Sequence, residues 1–172
     1  MGKINLQMPV IRPEVIPLID LFAGPGGLGE GFSSIKAVDE ECFEVALSIE
    51  KDIFAHKTLK LRHFFRSFNE VPDDYYNFLA GKITSEELYK RFPKEAAIAD
   101  CRSWLCTLGD EPQEIVHSRI NESLGSHKHW VLVGGPPCQA YSLVGRSRRA
   151  NDDTFEKDHK HFLYREYLKI IA

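Results

Sequence analysis

Short apolar runs, set apart by glycine-rich or polar stretches, organise this chain. Val15-Ile16-Pro17-Leu18-Ile19-Asp20-Leu21-Phe22 reads as a strand, and so does Phe43-Glu44-Val45-Ala46-Leu47-Ser48-Ile49, closed by Glu50. Trp130-Val131-Leu132-Val133 has the unbroken apolar character of a buried parallel strand. Between the last two runs the pattern turns helical. Asp52 to Phe68 gathers Ile53, Phe54, Leu59, Leu61, Phe64 and Phe65 on one face. Pro72 opens a short helix that Gly81 ends. Thr84-Ser85-Glu86-Glu87 forms a capping box ahead of Leu88 and Phe92. Pro93 to Leu108 is expected to be a further helix stopped by Gly109. Pro112 to Leu124 is expected to be another, with Gly125 just past its end. Strands alternating with helices give an α/β fold with a doubly wound sheet.

The first run leads into Ala23-Gly24-Pro25-Gly26-Gly27-Leu28-Gly29. A glycine-rich turn between strand and helix lets a ligand approach the backbone and aims the helix N-terminus at it. Gly24, Gly26 and Gly29 also fit the spacing G-x-G-x-x-G. Glu50, at the end of the second strand, stands where a carboxylate can grip a ribose diol by two charge-assisted hydrogen bonds. Together these residues point to an adenosine-type cofactor without saying which one, so a nicotinamide-dependent oxidoreductase remains open on this evidence.

Gly134-Gly135-Pro136-Pro137-Cys138-Gln139 follows the third run. Cys138 is thus expected on the loop beyond a strand's C-terminal end, where open α/β sheets place their chemistry. The two prolines stiffen that loop. The thiol reads as a nucleophile, and the competing reading is a small buried cysteine in a proline-rich turn.

Asp20-Leu21-Phe22-Ala23-Gly24-Pro25-Gly26-Gly27, then Glu50, then Gly135-Pro136-Pro137-Cys138-Gln139-Ala140-Tyr141-Ser142 together resemble the cytosine-C5 DNA methyltransferases. The resemblance covers about residues 16–50 and 131–172. It implies a Rossmann-like fold dependent on S-adenosyl-L-methionine. In that fold Asp20, Phe22, Ala23, Gly24, Gly26 and Gly27 line the cofactor site, Phe22 covers the adenine, Glu50 holds the ribose, and Pro137 and Cys138 belong to the catalytic loop. It implies that Asp110 meets the adenine amino group and that Leu163 approaches the cofactor from the next helix. Lys51 departs from the apolar or aromatic residue common in that family, so its stem, or Ile53, is expected to cover the adenine. Gln139 and Ser142 are expected to shape the loop or contact phosphate. The segment from about 56 to 105 is longer than the family core needs and reads as a helical insertion, its aromatic residues given to packing.

Composition changes the picture little. The chain has 172 residues and a formal net charge of −3, which speaks against DNA binding over the whole surface. Arg146, Arg148 and Arg149 nonetheless follow the cysteine loop with no acid among them, either as a phosphate-contacting patch or as part of a mixed solvated loop. The four cysteines, Cys42, Cys101, Cys106 and Cys138, show no zinc-like spacing, so no metal is expected. No apolar run reaches membrane-spanning length, and no signal peptide is evident. The resemblance implies a cytoplasmic location, bacterial and nucleoid-associated. The family's Glu-Asn-Val motif, arginine motif and target-recognition region do not occur in the chain. It therefore reads as the N-terminal part of a longer or split methyltransferase acting on double-stranded DNA in a restriction–modification setting, with RNA left open as substrate; the alternative is a non-catalytic cofactor-binding or regulatory module that needs a partner chain. Alone it is expected to transfer no methyl group, and its unpaired faces favour self-association.

Overall fold

A computed structural model describes residue 11 and residues 14–37, 40–136 and 163–171. Strand β1 (Ile16–Leu21) leads into helix α1 (Gly27–Ser33). A small antiparallel pair, β2 (Lys36–Ala37) and β3 (Glu40–Glu41), returns the chain to β4 (Phe43–Glu50). Four helices follow: α2 (Ile53–Arg66), α3 (Asp73–Leu79), α4 (Ser85–Arg91) and α5 (Pro93–Arg102). Then come β5 (Ser103–Leu105), α6 (Gln113–Leu124), β6 (Val131–Gly134) and α7 (Leu163–Ile171).

The central sheet has the order β5-β4-β1-β6 with every pair parallel. The chain steps from β1 outward to β4 and β5, then crosses back to lay β6 on the other side of β1. The order therefore reverses between β1 and β6, and the crevice outside their carboxyl ends is where such sheets bind ligands. β1 and β4 are largely apolar because both of their faces are covered; Leu18, Ile19, Leu21, Leu47 and Ile49 are fully buried. A register irregularity between Leu18 and Ile19 lets Ala46 bulge from the ladder. β6 is parallel as expected but only half-buried.

Most sequence-read elements form where expected. Asp52 caps α2 by accepting the Phe54 and Ala55 amides at 3.0 and 2.8 Å. The Thr84–Glu87 capping box is complete. Two expectations fail. Ile53 and Phe54, read as part of the apolar face of α2, are exposed in its first turn. The helix predicted from Pro93 to Leu108 ends at Arg102, and Ser103–Leu105 are strand. The Ser103 hydroxyl bonds back to the Ala99 carbonyl at 2.7 Å, and pairing of Ser48, Ile49 and Glu50 with Ser103, Trp104 and Leu105 then overrides helical preference. The stretch read as an insertion accordingly ends in a strand of the central sheet.

The helices between β4 and β5 build their own cluster. Phe64, Leu88, Ala96 and Ala99 form its buried centre, with Phe68, Tyr75, Phe78, Tyr89 and Phe92 packed around them. Edge-to-face contacts of Phe64 with Phe68 (5.0 Å) and Tyr89 (5.1 Å) give it shape. The aromatic residues of this region therefore pack. Beneath α2, the Ser48 hydroxyl and His63 Nε2 meet at 3.0 Å in the interior. Burial, with Arg102 next in weight, pushes the imidazole down to about 3, so His63 is neutral. Among the described residues no helix is long and apolar enough to cross a membrane.

Candidate cofactor site

The site begins where β1 ends. Phe22 adopts a left-handed backbone (φ 54°), rare for a residue with a side chain. The Ala23 amide then donates to the Ile49 carbonyl at 3.0 Å, and its own carbonyl accepts the Gly26 amide at 2.9 Å. The turn between them needs left-handed conformations at Gly24 (φ 56°) and Gly26 (φ 87°). Gly26 has a second constraint, because a Cβ there would stand 2.8 Å from the Leu59 side chain. The turn is thus pressed against α2, and α1 starts directly from it.

Glu50 ties this turn to the neighbouring strand. Its Oε2 accepts the Gly24 amide at 2.7 Å, and its Oε1 accepts the Lys51 and Asp52 amides at 2.9 and 2.8 Å. The residue is almost wholly buried, so these bonds stand in for water.

Asp20 lies under the same turn, fully buried, with neither carboxyl oxygen in a hydrogen bond. Burial lifts its acid group to about 6; the Gly29 backbone amide relieves part of this without reaching hydrogen-bond geometry, and the Glu50 charge adds to it. From α7, Tyr167 faces it. Burial and the Asp20 charge push the Tyr167 phenol up to about 12. The Tyr167 ring also lies 6.0 Å from that of Phe22, tilted by 30°.

Beside Phe22 opens a narrow, mostly apolar cleft. Phe22, Ile49, Lys51, Cys106, Leu108 and Leu163 line it, with Thr107 at its polar edge. Lys51, Cys106 and Thr107 also border an adjoining polar cleft that holds Asp110 and Glu111. The fold thus brings Asp20, Phe22, Ala23, Gly24, Gly26, Glu50, Lys51 and Leu163 to one end of the sheet. Asp110, exposed, stands in the polar annex, its amide donating to the Thr107 carbonyl at 3.1 Å. Gly27 starts α1 beside the turn. Pro137, Cys138, Gln139, Ser142, Arg146 and Arg148 lie outside the described residues; Gly134, Gly135 and Pro136, which lead to them, leave β6 beside the end of β1.

Tyr167, Cys106, Thr107 and Leu108 were not foreseen. Tyr167 offers no local signal, since its role arises from α7 packing across the sheet end. The other three follow β5, and with that strand read as helix their place could not be found. Cys101 and Cys106 are buried, and desolvation raises both thiols, Cys106 to about 11. Neither is poised as a nucleophile.

Comparison with curated proteins finds similar chains. The type II methyltransferase M.Bpa9945I of Bacillus paralicheniformis is 31% identical over 181 aligned positions, spanning 90% of this chain. The chain is related to the type II methyltransferases. M.XorII of Xanthomonas oryzae, another type II methyltransferase, is 28% identical over 89% of the chain, and M1.HphI of Haemophilus parahaemolyticus, also a type II methyltransferase, is 24% identical over 98%. The chain spans 37%, 24% and 32% of those three methyltransferases' own lengths. No protein-family model and no solved structure matches it. The α/β sheet with its switch point is the Rossmann-like arrangement expected of a methyltransferase.

Proposed function

We propose that this chain carries the cofactor half of a DNA (cytosine-5-)-methyltransferase, with S-adenosyl-L-methionine at the carboxyl ends of β1 and β4. The observation that carries the reading is the junction of the Gly24–Glu50 hydrogen bond with the apolar cleft beside Phe22. The donor set suits the ligand. A flat apolar slot between Phe22 and Leu163 takes a purine, the Lys51 stem covers it, and Asp110 lies within the annex that its amino edge would face. Glu50 waits at the ribose, and the buried Asp20 offers countercharge to a cationic ligand.

When bound, the cofactor supplies an electrophilic sulfonium methyl. The chain's own chemistry falls to Cys138. Its thiolate would add to C6 of a cytosine turned out of the DNA stack, making C5 nucleophilic toward that methyl; once C5 carries the methyl, loss of the C5 proton to a base would break the C6–S bond, free the thiolate and restore the ring. Gln139 and Ser142 shape that loop, and Arg146 and Arg148 meet phosphate. The DNA substrate, the cytosine-C5 outcome and the segment of about 56–105 as an insertion belong to this proposal.

Calorimetric titration with S-adenosylmethionine, with NAD and a Glu50→Ala chain as controls, tests it. Saturable binding of S-adenosylmethionine that weakens in the variant is expected. Binding of NAD alone would sink the methyltransferase reading of this site.

A further inference from the structure

Read as an adenosine pocket, the site makes a narrower statement about the ribose, and this statement rests on that reading. A carboxylate offers about four lone-pair directions. Three of those of Glu50 are taken by backbone amides, two at Oε1 and one at Oε2. None is easily surrendered. The Lys51 and Asp52 amides belong to the entry into α2, which Asp52 itself caps. The Gly24 amide sits in a turn fixed on both sides by the Ala23–Ile49 and Gly26–Ala23 bonds. Burial leaves the carboxylate no room to swing to a new position without losing these partners. One acceptor direction remains, on Oε2.

We infer that Glu50 takes a hydrogen bond from a single ribose hydroxyl of the ligand, not from both hydroxyls of the diol. The sequence alone suggests a two-bond grip; the backbone amides have already claimed the second. Glu50 then discriminates between the two hydroxyl positions, and it binds the ligand through the same oxygen that anchors the glycine turn.

The test is calorimetric titration of the chain with S-adenosylhomocysteine and with its 2′-deoxy and 3′-deoxy derivatives. One derivative is expected to bind about tenfold more weakly than the parent, the other within about twofold of it. In a Glu50→Ala chain the same derivative loses its penalty. Should that variant fail to fold, the three ligands on the unaltered chain decide the matter by themselves. Comparable penalties of about fivefold or more for both derivatives, or none for either, overturn the inference and leave the adenosine reading standing. Absence of parent binding to the unaltered chain overturns both.

Discussion

The hydroxyl of Tyr167 lies where a side chain on Gly134 would begin. A Cβ built on Gly134 would stand 2.2 Å from that hydroxyl and 2.0 Å from the Leu21 carbonyl oxygen. Gly134 is also left-handed in φ (155°). Three elements, β1, β6 and α7, therefore converge on one α-carbon at the root of the loop that leads to Cys138.

Gly134→Ala is expected to destabilise the chain by about 3 kcal/mol or more, read by chemical denaturation. Tyr167 can turn aside, but the Leu21 carbonyl is backbone and cannot. Adding Tyr167→Leu should therefore fail to restore stability. A Gly134→Ala chain within about 0.5 kcal/mol of the parent would contradict the crowding described.

Asp20 and His63 should pull the pH dependence of stability in opposite directions. Asp20 holds its proton more tightly when folded (about 6) than at its ordinary value of 3.8, so the folded state binds more protons between those values. Its contribution to stability falls as pH rises through that window, by about 3 kcal/mol, and is flat above it. His63 is lowered from 6.5 to about 3, so its contribution is present above the ordinary value and is lost as pH falls through the window. Denaturation series from about pH 4 to about pH 7.5 on Asp20→Asn and on the parent check the first sign. The advantage of the variant should grow with pH, and a constant difference would contradict the buried, unpartnered carboxyl. Where the two windows overlap the effects oppose, so removing either group should steepen the curve.

Glu50→Gln should be no milder than Glu50→Ala in its effect on stability. All three partners of the carboxylate are donors, so the amide NH₂ must face at least one N–H whichever way it turns. A loss of about 1–3 kcal/mol is expected for each variant in thermal or chemical denaturation. Retention of parent stability by the glutamine variant would mean that the three bonds do not all form in solution.

Phe22 allows backbone strain to be separated from ligand contact. Phe22→Ala and Phe22→Gly both remove the ring from the cleft, and each should weaken S-adenosylmethionine binding by about tenfold. Only glycine also relieves the left-handed backbone, so the Gly variant should be the more stable of the two by about 1 kcal/mol. Equal stabilities would count against strain at this position.

The legible parts of the site were those with local signals. The apolar strand, the glycine turn and the acid at the end of β4 could each be read from a few adjacent residues. The identity of Glu50 was visible too, but its amide partners were not, because they depend on how the turn and the α2 cap fold around it. β5 was hidden for a different reason. It is three residues long and lacks β-branched residues, and only its pairing with β4 makes it a strand. The cleft wall at Cys106 to Leu108, which follows it directly, was hidden with it. Tyr167 was invisible because a helix face says nothing about which distant α-carbon it will meet.

The helical layer over β4 and β5 divides the chain's tolerance for change. α3 leans on α4 and α4 on α5, while α2 and α5 carry the layer onto the sheet. The exposed bend between α3 and α4, with Gly81 left-handed at φ 70°, sits at the far side of that arrangement. Drift in length or the splicing of a reporter domain at this bend would be absorbed by helix-on-helix contacts before reaching the glycine turn. The same alteration one layer inward, at the α5–β5 junction, would move the strand that builds the cleft wall. Laboratory fusions and lineage-specific extensions therefore have a natural point of entry at the α3–α4 bend, and a natural barrier at Arg102.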